Sequence, residues 1–231
     1  AEERLTDKSC LNVEDIVRFA DTVDPALLEP VLERQIRYNS AIAEEGIRGG
    51  WGAEIGRILL EGANGDIQTE AKAYAAAGSD ARMSGCEMPV VILSGSGNQG
   101  ITASLPVIRY AKHLGASREQ LLRALALSDL ITIHQKTGIG RLSAYCGAIA
   151  AGVGAGAGIC YLQGGGYTAV AHTVVNAVAV LSGTICDGAK PSCAAKIAAA
   201  VDAGIMGYRM YLHDREFRRG EGIVSDSVDK T

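Results

Sequence analysis

The sequence predicts an all-α protein, a multi-helix bundle around a central, buried pair of Gly/Ala-rich helices. Three observations carry this. Apolar residues recur at helical spacing along most of the chain. Helix-start signals stand where those patterns begin. From Leu142 to Cys186 the only side chain that can carry charge, cysteine and tyrosine aside, is His172, and a helix apolar all round belongs at the centre of its protein. The 231 residues are 48% hydrophobic but only 5% aromatic, with 29 glycines. The core must therefore come from Ala, Gly, Val, Ile and Leu, which favours close helix-to-helix contact over bulky packing. No alternating pattern of useful length marks a strand; "MPVVIL" (Met88 to Leu93) is the one short candidate.

Each element has its own signal. "NVEDIVRFADTV" places Val13, Ile16, Val17 and Ala20 on one helical face, with Asn12 as cap. "LLEPVLERQIRYNSAIAEEGI" is a second helix with Pro30 near its start, "GAEIGRILLEG" a third and "IQTEAKAYAAAGSDARM" a fourth. A helix is expected after "SGSGNQG". Ser117 with Gln120 three residues on is a capping box, and its helix should end near Gly138. The uncharged stretch reads as two helices, "LSAYCGAIAAGVGAGAGICYLQ" and "AVAHTVVNAVAVLSGTIC", broken by "GGGYT". Pro191 suits the first turn of a last helix, "PSCAAKIAAAVDAGIMGYRMYLHD".

The uncharged stretch is weighed against a membrane hairpin, since each half approaches the roughly 20 apolar residues a span needs. Gln163, His172 and Asn176 interrupt it, Leu is sparse, and no basic cluster flanks its far end. Burial inside a helical domain is the better reading, and no membrane partner is expected. A net charge of -4 and no block of like charges give no reason to expect nucleic acid. The charged N-terminus lacks an apolar signal segment. A cytoplasmic location is expected, where clustered cysteines bind metal or react more often than they pair.

Two constellations carry chemistry. "SGSGNQG" (Ser94 to Gly100) contains G-x-G-x-x-G, with Glu119 about 20 residues on. The dinucleotide reading fails on context: no second strand completes a βαβ unit, Glu119 lies in a capped helix start, and Pro106 interrupts the following helix. A plain glycine loop is one alternative. The other is a small-anion site, in which helix-start amides with Ser94, Ser96 and Asn98 hold a carboxylate. The second constellation is Cys186 and Cys193 in "CDGAKPSC". Cys186 should end one helix and Cys193 start the next, with Gly188 and Pro191 forcing a reversal between them. Cys146, at the start of the uncharged pair, is the best third thiolate. Spacing alone leaves zinc, an iron–sulfur cluster and a Cys186–Cys193 disulfide all open. Cys10, Cys86 and Cys160 read as small buried apolar residues. Lys136 and Lys190 are the candidate charge partners, Lys190 by its place between two thiols. Arg141 and Lys136 read equally well as solvated or helix-end charges, and His134 is weaker.

"SGSGNQGITASLPVIRYA", "KTGIGRLSAYCGAIAAGVGAGAGICYLQGG" and "GTICDGAKPSCAAKIA" together resemble the serine dehydratase α-chain-like family, and within it the L-cysteine desulfidase branch. The resemblance runs from about Ile67 to the C-terminus. It divides the chain into an N-terminal helical segment, 1–66, packed on or linked to the core, and a family domain, 67–231. Family chains extend further at both ends, so the resemblance implies a piece of a longer chain. It implies a [4Fe–4S] cluster on Cys146, Cys186 and Cys193. The spacing to Cys193 is slightly narrower than in the iron-dependent serine dehydratases. It also implies an α,β-elimination lyase that converts L-cysteine to pyruvate, ammonia and sulfide, or L-serine to pyruvate and ammonia. On this reading three thiolates leave one iron open as a Lewis acid, and the base that removes the Cα proton lies in a preceding N-terminal part. Ser94, Ser96, Asn98, Lys136 and Lys190 become the substrate-binding residues. The competing expectation is a non-catalytic helical module that binds a small carboxylate and has lost its cluster. Oligomeric state, homo-oligomer included, is left open.

Overall fold

A computed structural model describes residues 7–140, 143–186 and 188–231. Its described residues form nine α-helices and one 3-10 turn: α1 (Val13–Thr22), α2 (Pro25–Arg48), α3 (Ile55–Glu61), α4 (Ile67–Met83), α5 (Gly97–Leu114), α6 (Arg118–Ile139), α7 (Gly147–Leu162), α8 (Tyr167–Val180), α9 (Cys193–Leu212) and the turn Val228–Lys230. The protein is all-α, as its periodicity predicts, and no helix among the described residues is long and apolar enough to cross a membrane.

The helix starts follow their caps. Asn12 accepts from the backbone of Asp15, and Asp66 from Gln68 and Thr69. Ser117 and Gln120 close the capping box of α6. Each such cap satisfies an orphan amide and contributes about 1 kcal/mol. Pro25 occupies the first turn of α2, where its missing N–H costs nothing, and Pro30 lies inside the same helix.

Helix α7 is the buried centre. Ala150 to Cys160 are buried without exception, and the helix packs against α5, α6, α8 and α9. Its glycines set those contacts. A Cβ at Gly152 would overlap the backbone of Ala200, and one at Gly156 the backbone of Gly204, both on α9. At Gly154 it would meet Ser128 and Thr132 of α6, and at Gly158 Val107 of α5 and Ala124 of α6. The close approach expected within the Gly/Ala-rich pair is thus made to α9, α6 and α5. Helix α8 buries one face only, through Ala169, Val170, Thr173, Val174, Asn176 and Ala177. The N-terminal α1 and α2 pack on α4, α5, α6 and α8, with Ile16, Ala20 and Ile42 inside the main core.

Two local expectations are corrected. "MPVVIL" is extended but pairs with no strand: Asn39 holds Val91, its Oδ1 accepting from the Val91 N–H at 2.9 Å, and Leu93 bridges only to Ser96. Helix α8 also stops at Val180, six residues short of Cys186, where its apolar pattern predicts the end. Gly183 takes a left-handed φ of 78°, and the chain then pairs antiparallel with the segment before α7. Cys146 N–H donates to Thr184 O at 2.9 Å and Cys186 N–H to Ala144 O at 2.7 Å. Cys186 therefore sits on a bridge, not at a helix end. Pro191 lies in the turn ahead of α9, where Ala194 N–H reaches its carbonyl at 3.2 Å.

Candidate active site

The starts of α5, α7 and α9 meet at one cleft of about 590 Å³. The loop before α5 is a tight turn: Ser94 and Gly95 both have positive φ, 48° and 84°, and Ser96 caps the helix. The motif's other glycines serve close packing. A Cβ at Gly97 would strike the Arg82 guanidinium, and one at Gly100 the Val91 carbonyl. The dinucleotide-like spacing is thus met by a turn and two helix contacts, with no sheet. This brings Ser94, Ser96, Asn98 and Gln99 into the cleft wall.

The opposite wall carries the thiols. Cys146 is the N-cap of α7. In the bridge, Tyr145 faces Ile185, so Cys146 and Cys186 are diagonal neighbours on one side of a two-stranded ladder, a relation that sets residues about 7–8 Å apart. Cys193 is the first residue of α9, its Sγ 3.6 Å from Gly188 O. All three line the cleft, and all six cysteines are free thiols. Among the described residues no three His, Cys, Asp or Glu side chains stand close enough to share a single metal ion. That spacing does not exclude a cluster, which carries its thiolates on separate irons and spreads them wider than one ion does. The donor set, three thiols and no carboxylate among the described lining residues, fits a thiolate-held group in kind.

Two cationic side chains, Lys136 and Arg82, also line the cleft. Lys136, in the last turn of α6, is 3% exposed, and no described carboxylate forms an ion pair with it. Burial lowers its pKa, while Cys146 and Cys186 pull it back up. Burial raises the Cys146 thiol; the Ala148 N–H works the other way, and Cys186 and Cys193 add to the rise. Arg82, from the end of α4, donates to Asn98 Oδ1 at 3.2 Å. The cleft therefore holds two positive groups, three thiols and the amide end of an 18-residue helix, an arrangement that attracts anions.

Seven of the eight expected site residues converge here: Ser94, Ser96, Asn98, Lys136, Cys146, Cys186 and Cys193. Lys190 does not line the cleft; it is exposed, and only its carbonyl takes part, accepting from Cys193 N–H at 2.9 Å. His134 binds Asp229 at 2.9 Å beside a second cavity of about 880 Å³. That larger space is mostly apolar and shares only Tyr145 and Cys146 with the thiol-bearing cleft. Arg141 lies outside the described residues. Cys160 is fully buried and Cys86 partly so, but Cys10 is exposed, in the turn ahead of α1 where no helix packs over it. Arg82 and Gln99 were missed by sequence reasoning. Arg82 follows an alanine-rich run like any charge at a helix end, and Gln99 lies inside the glycine motif, where the serines and Asn98 draw the eye.

The described residues thus form an all-helical fold whose cleft is lined by three thiols, Lys136 and Arg82. The chain belongs to the serine dehydratase alpha chain family, whose model matches residues 5–231. A UPF0597 protein of Desulfitobacterium hafniense is 61% identical over 98% of this chain and 53% of its own length. One from Lachnoclostridium phytofermentans is 53% identical over 100% of this chain and 55% of its own. One from Treponema denticola is 47% identical over 98% and 54%. The chain spans about half the length of these relatives. No solved structure matches.

Proposed function

We propose that the cleft is the site of an iron–sulfur lyase that removes the β-substituent of a small L-amino acid, L-cysteine or L-serine. The observation that carries this is the convergence of Cys146, Cys186 and Cys193 with a buried Lys136 on a helix-start loop built for an anion. Family membership supports a serine dehydratase-related activity. Cys146, Cys186 and Cys193 would hold a [4Fe–4S] cluster, which when bound would supply Lewis acidity toward the departing sulfur or oxygen.

The chain's own groups bind the substrate and fix the ligand loops. Ser96 and Asn98 present the first-turn amides of α5 to the substrate carboxylate. Lys136 balances the negative charge gathered by three thiolates; a buried ammonium without a carboxylate partner is otherwise unfavourable. The backbone bridge at Cys146 and Cys186, and the Lys190 carbonyl at Cys193, fix the loops that carry the ligands. In the elimination a general base takes the Cα proton, Cα=Cβ forms, and the Cβ–S (or Cβ–O) bond breaks with its electron pair leaving on sulfur (or oxygen). The resulting enamine takes up water to give pyruvate and ammonia.

Anaerobic purification with iron and sulfide counting, followed by assay for pyruvate and sulfide from both amino acids, tests this. The expected protein is brown, and Cys146→Ala, Cys186→Ala or Cys193→Ala strips its iron while Cys160→Ala does not. Colourless, iron-free wild-type protein that still binds a small carboxylate would establish the non-catalytic module instead.

A further inference from the structure

On the reading of the cleft just given, we infer that Gln99 is the acceptor for the substrate's α-ammonium group, and that it selects α-amino acids over α-hydroxy acids. An amino acid brings two opposite charges on one carbon, and the cleft is unevenly furnished for them. Arg82, Lys136 and the start of α5 all favour the carboxylate. For the ammonium, the described lining residues include no Asp or Glu.

Gln99 fills that place. It is 5% exposed and lines the cleft. Its Oε1 is shielded from water and has no hydrogen-bond partner, a rare condition for a buried acceptor. The competing acceptors are engaged or ambivalent. Asn98 Oδ1 already accepts from Arg82 at 3.2 Å. Ser94 Oγ is also unpartnered, but a hydroxyl can donate to the carboxylate as readily as accept. An amide oxygen can only accept. The Gln99 amide also lies against Gly147, where any Cβ would collide with its Nε2, so its place is fixed beside Cys146.

Calorimetric titration of the anaerobically purified protein with L-serine and with L-glycerate, which carries a hydroxyl where serine carries its ammonium, tests the assignment. Q99M should weaken L-serine by about 10- to 100-fold, the range of a hydrogen bond to a charged group, and leave L-glycerate nearly unchanged. Q99E, which keeps the acceptor, should retain L-serine and weaken L-glycerate. Equal weakening of both ligands by Q99M, no weakening, or loss of L-serine in Q99E would overturn the assignment while an iron-loaded, active wild type leaves the lyase reading standing. Selective loss of L-serine in an iron-free protein would support Gln99 and overturn the lyase. A wild type that binds no amino acid overturns both. Should Q99M not fold, the opposite responses of Q99E to the two ligands decide the matter.

Discussion

Lys136 shows what a single residue in this cleft is set to do. The residue is 3% exposed, its ammonium interacts with the Cys146 and Cys186 thiols, and it pairs with no described carboxylate. Because burial lowers its folded pKa below the ordinary lysine value, the folded state holds this proton less tightly than the unfolded chain does. The penalty is therefore in full force at neutral pH and fades only as pH rises through the lysine range. Lys136→Met should raise the melting temperature of the cluster-free protein at pH 7 by a few degrees, at about 2–4 °C per kcal/mol. The same variant should lose the thermal shift that L-serine gives the wild type. Melting curves with and without L-serine check both. The sequence placed Lys136 in the last turn of a helix but could not say which way that turn faced. The cysteines were more legible, because Cys146, Cys186 and Cys193 stand in long motifs. Arg82 was not legible, because its partner Asn98 and the Gly97 it packs on come from another helix.

Among the elements, α7 and α9 matter most, since one follows Cys146 and the other begins with Cys193. They run side by side with backbone against backbone at Gly152, Gly156 and Gly204. No side chain separates them, so a methyl group has nowhere to go. Gly156→Ala should destabilise the protein by about 1–3 kcal/mol, as overpacking of a tight core does, and lower its iron content by moving Cys193 away from Cys146. Urea denaturation with iron analysis of the same preparations tests this. The Gly/Ala composition foretold close contact, yet the partner was misplaced. Small residues say that a helix comes near something, and periodicity cannot say which helix. The end of α8 was misread for a related reason: "LSGTIC" is as apolar as a helix, but its backbone pairs with Ala144 and Cys146, a contact that local pattern does not record.

The molecule as a whole is tied together by polar contacts between distant parts of the chain. Gln35 of α2 donates to both oxygens of Asp129 on α6, at 3.1 and 3.0 Å. Asp229 near the C-terminus accepts from the Val13 N–H at 2.9 Å and binds His134 at the same distance. Burial pushes the Asp129 carboxyl up to about 7, although the Gln35 amide acts in the opposite direction. A carboxyl raised in the folded state stabilises while protonated, and that contribution is lost as pH climbs from the unfolded value through the folded one. Asp129→Asn should therefore be more stable than wild type at pH 8, by on the order of 1–3 kcal/mol, and no more stable below pH 4. Chemical denaturation at the two pH values checks the sign. The helices of the N-terminal segment were readable one by one, from Asn12 and from the Val13, Ile16, Val17 and Ala20 face. Their docking was not, because a pair such as Gln35 and Asp129 leaves no periodic trace.

The bridge between Ala144–Cys146 and Thr184–Cys186 differs in kind from everything around it. It consists of two backbone hydrogen bonds, outer residues Tyr145 and Ile185 that are 56% and 67% exposed, and no helical ladder behind Cys186. Regions with few buried contacts open on their own, long before the global transition. Cys146 and Cys193 stand at the starts of α7 and α9, whereas Cys186 is followed by no described helix until α9. Cys186 depends on the two bridge hydrogen bonds, Cys146 on the bridge and on α7. Faster amide exchange at Cys186 than within α9 is the expected signature of that difference.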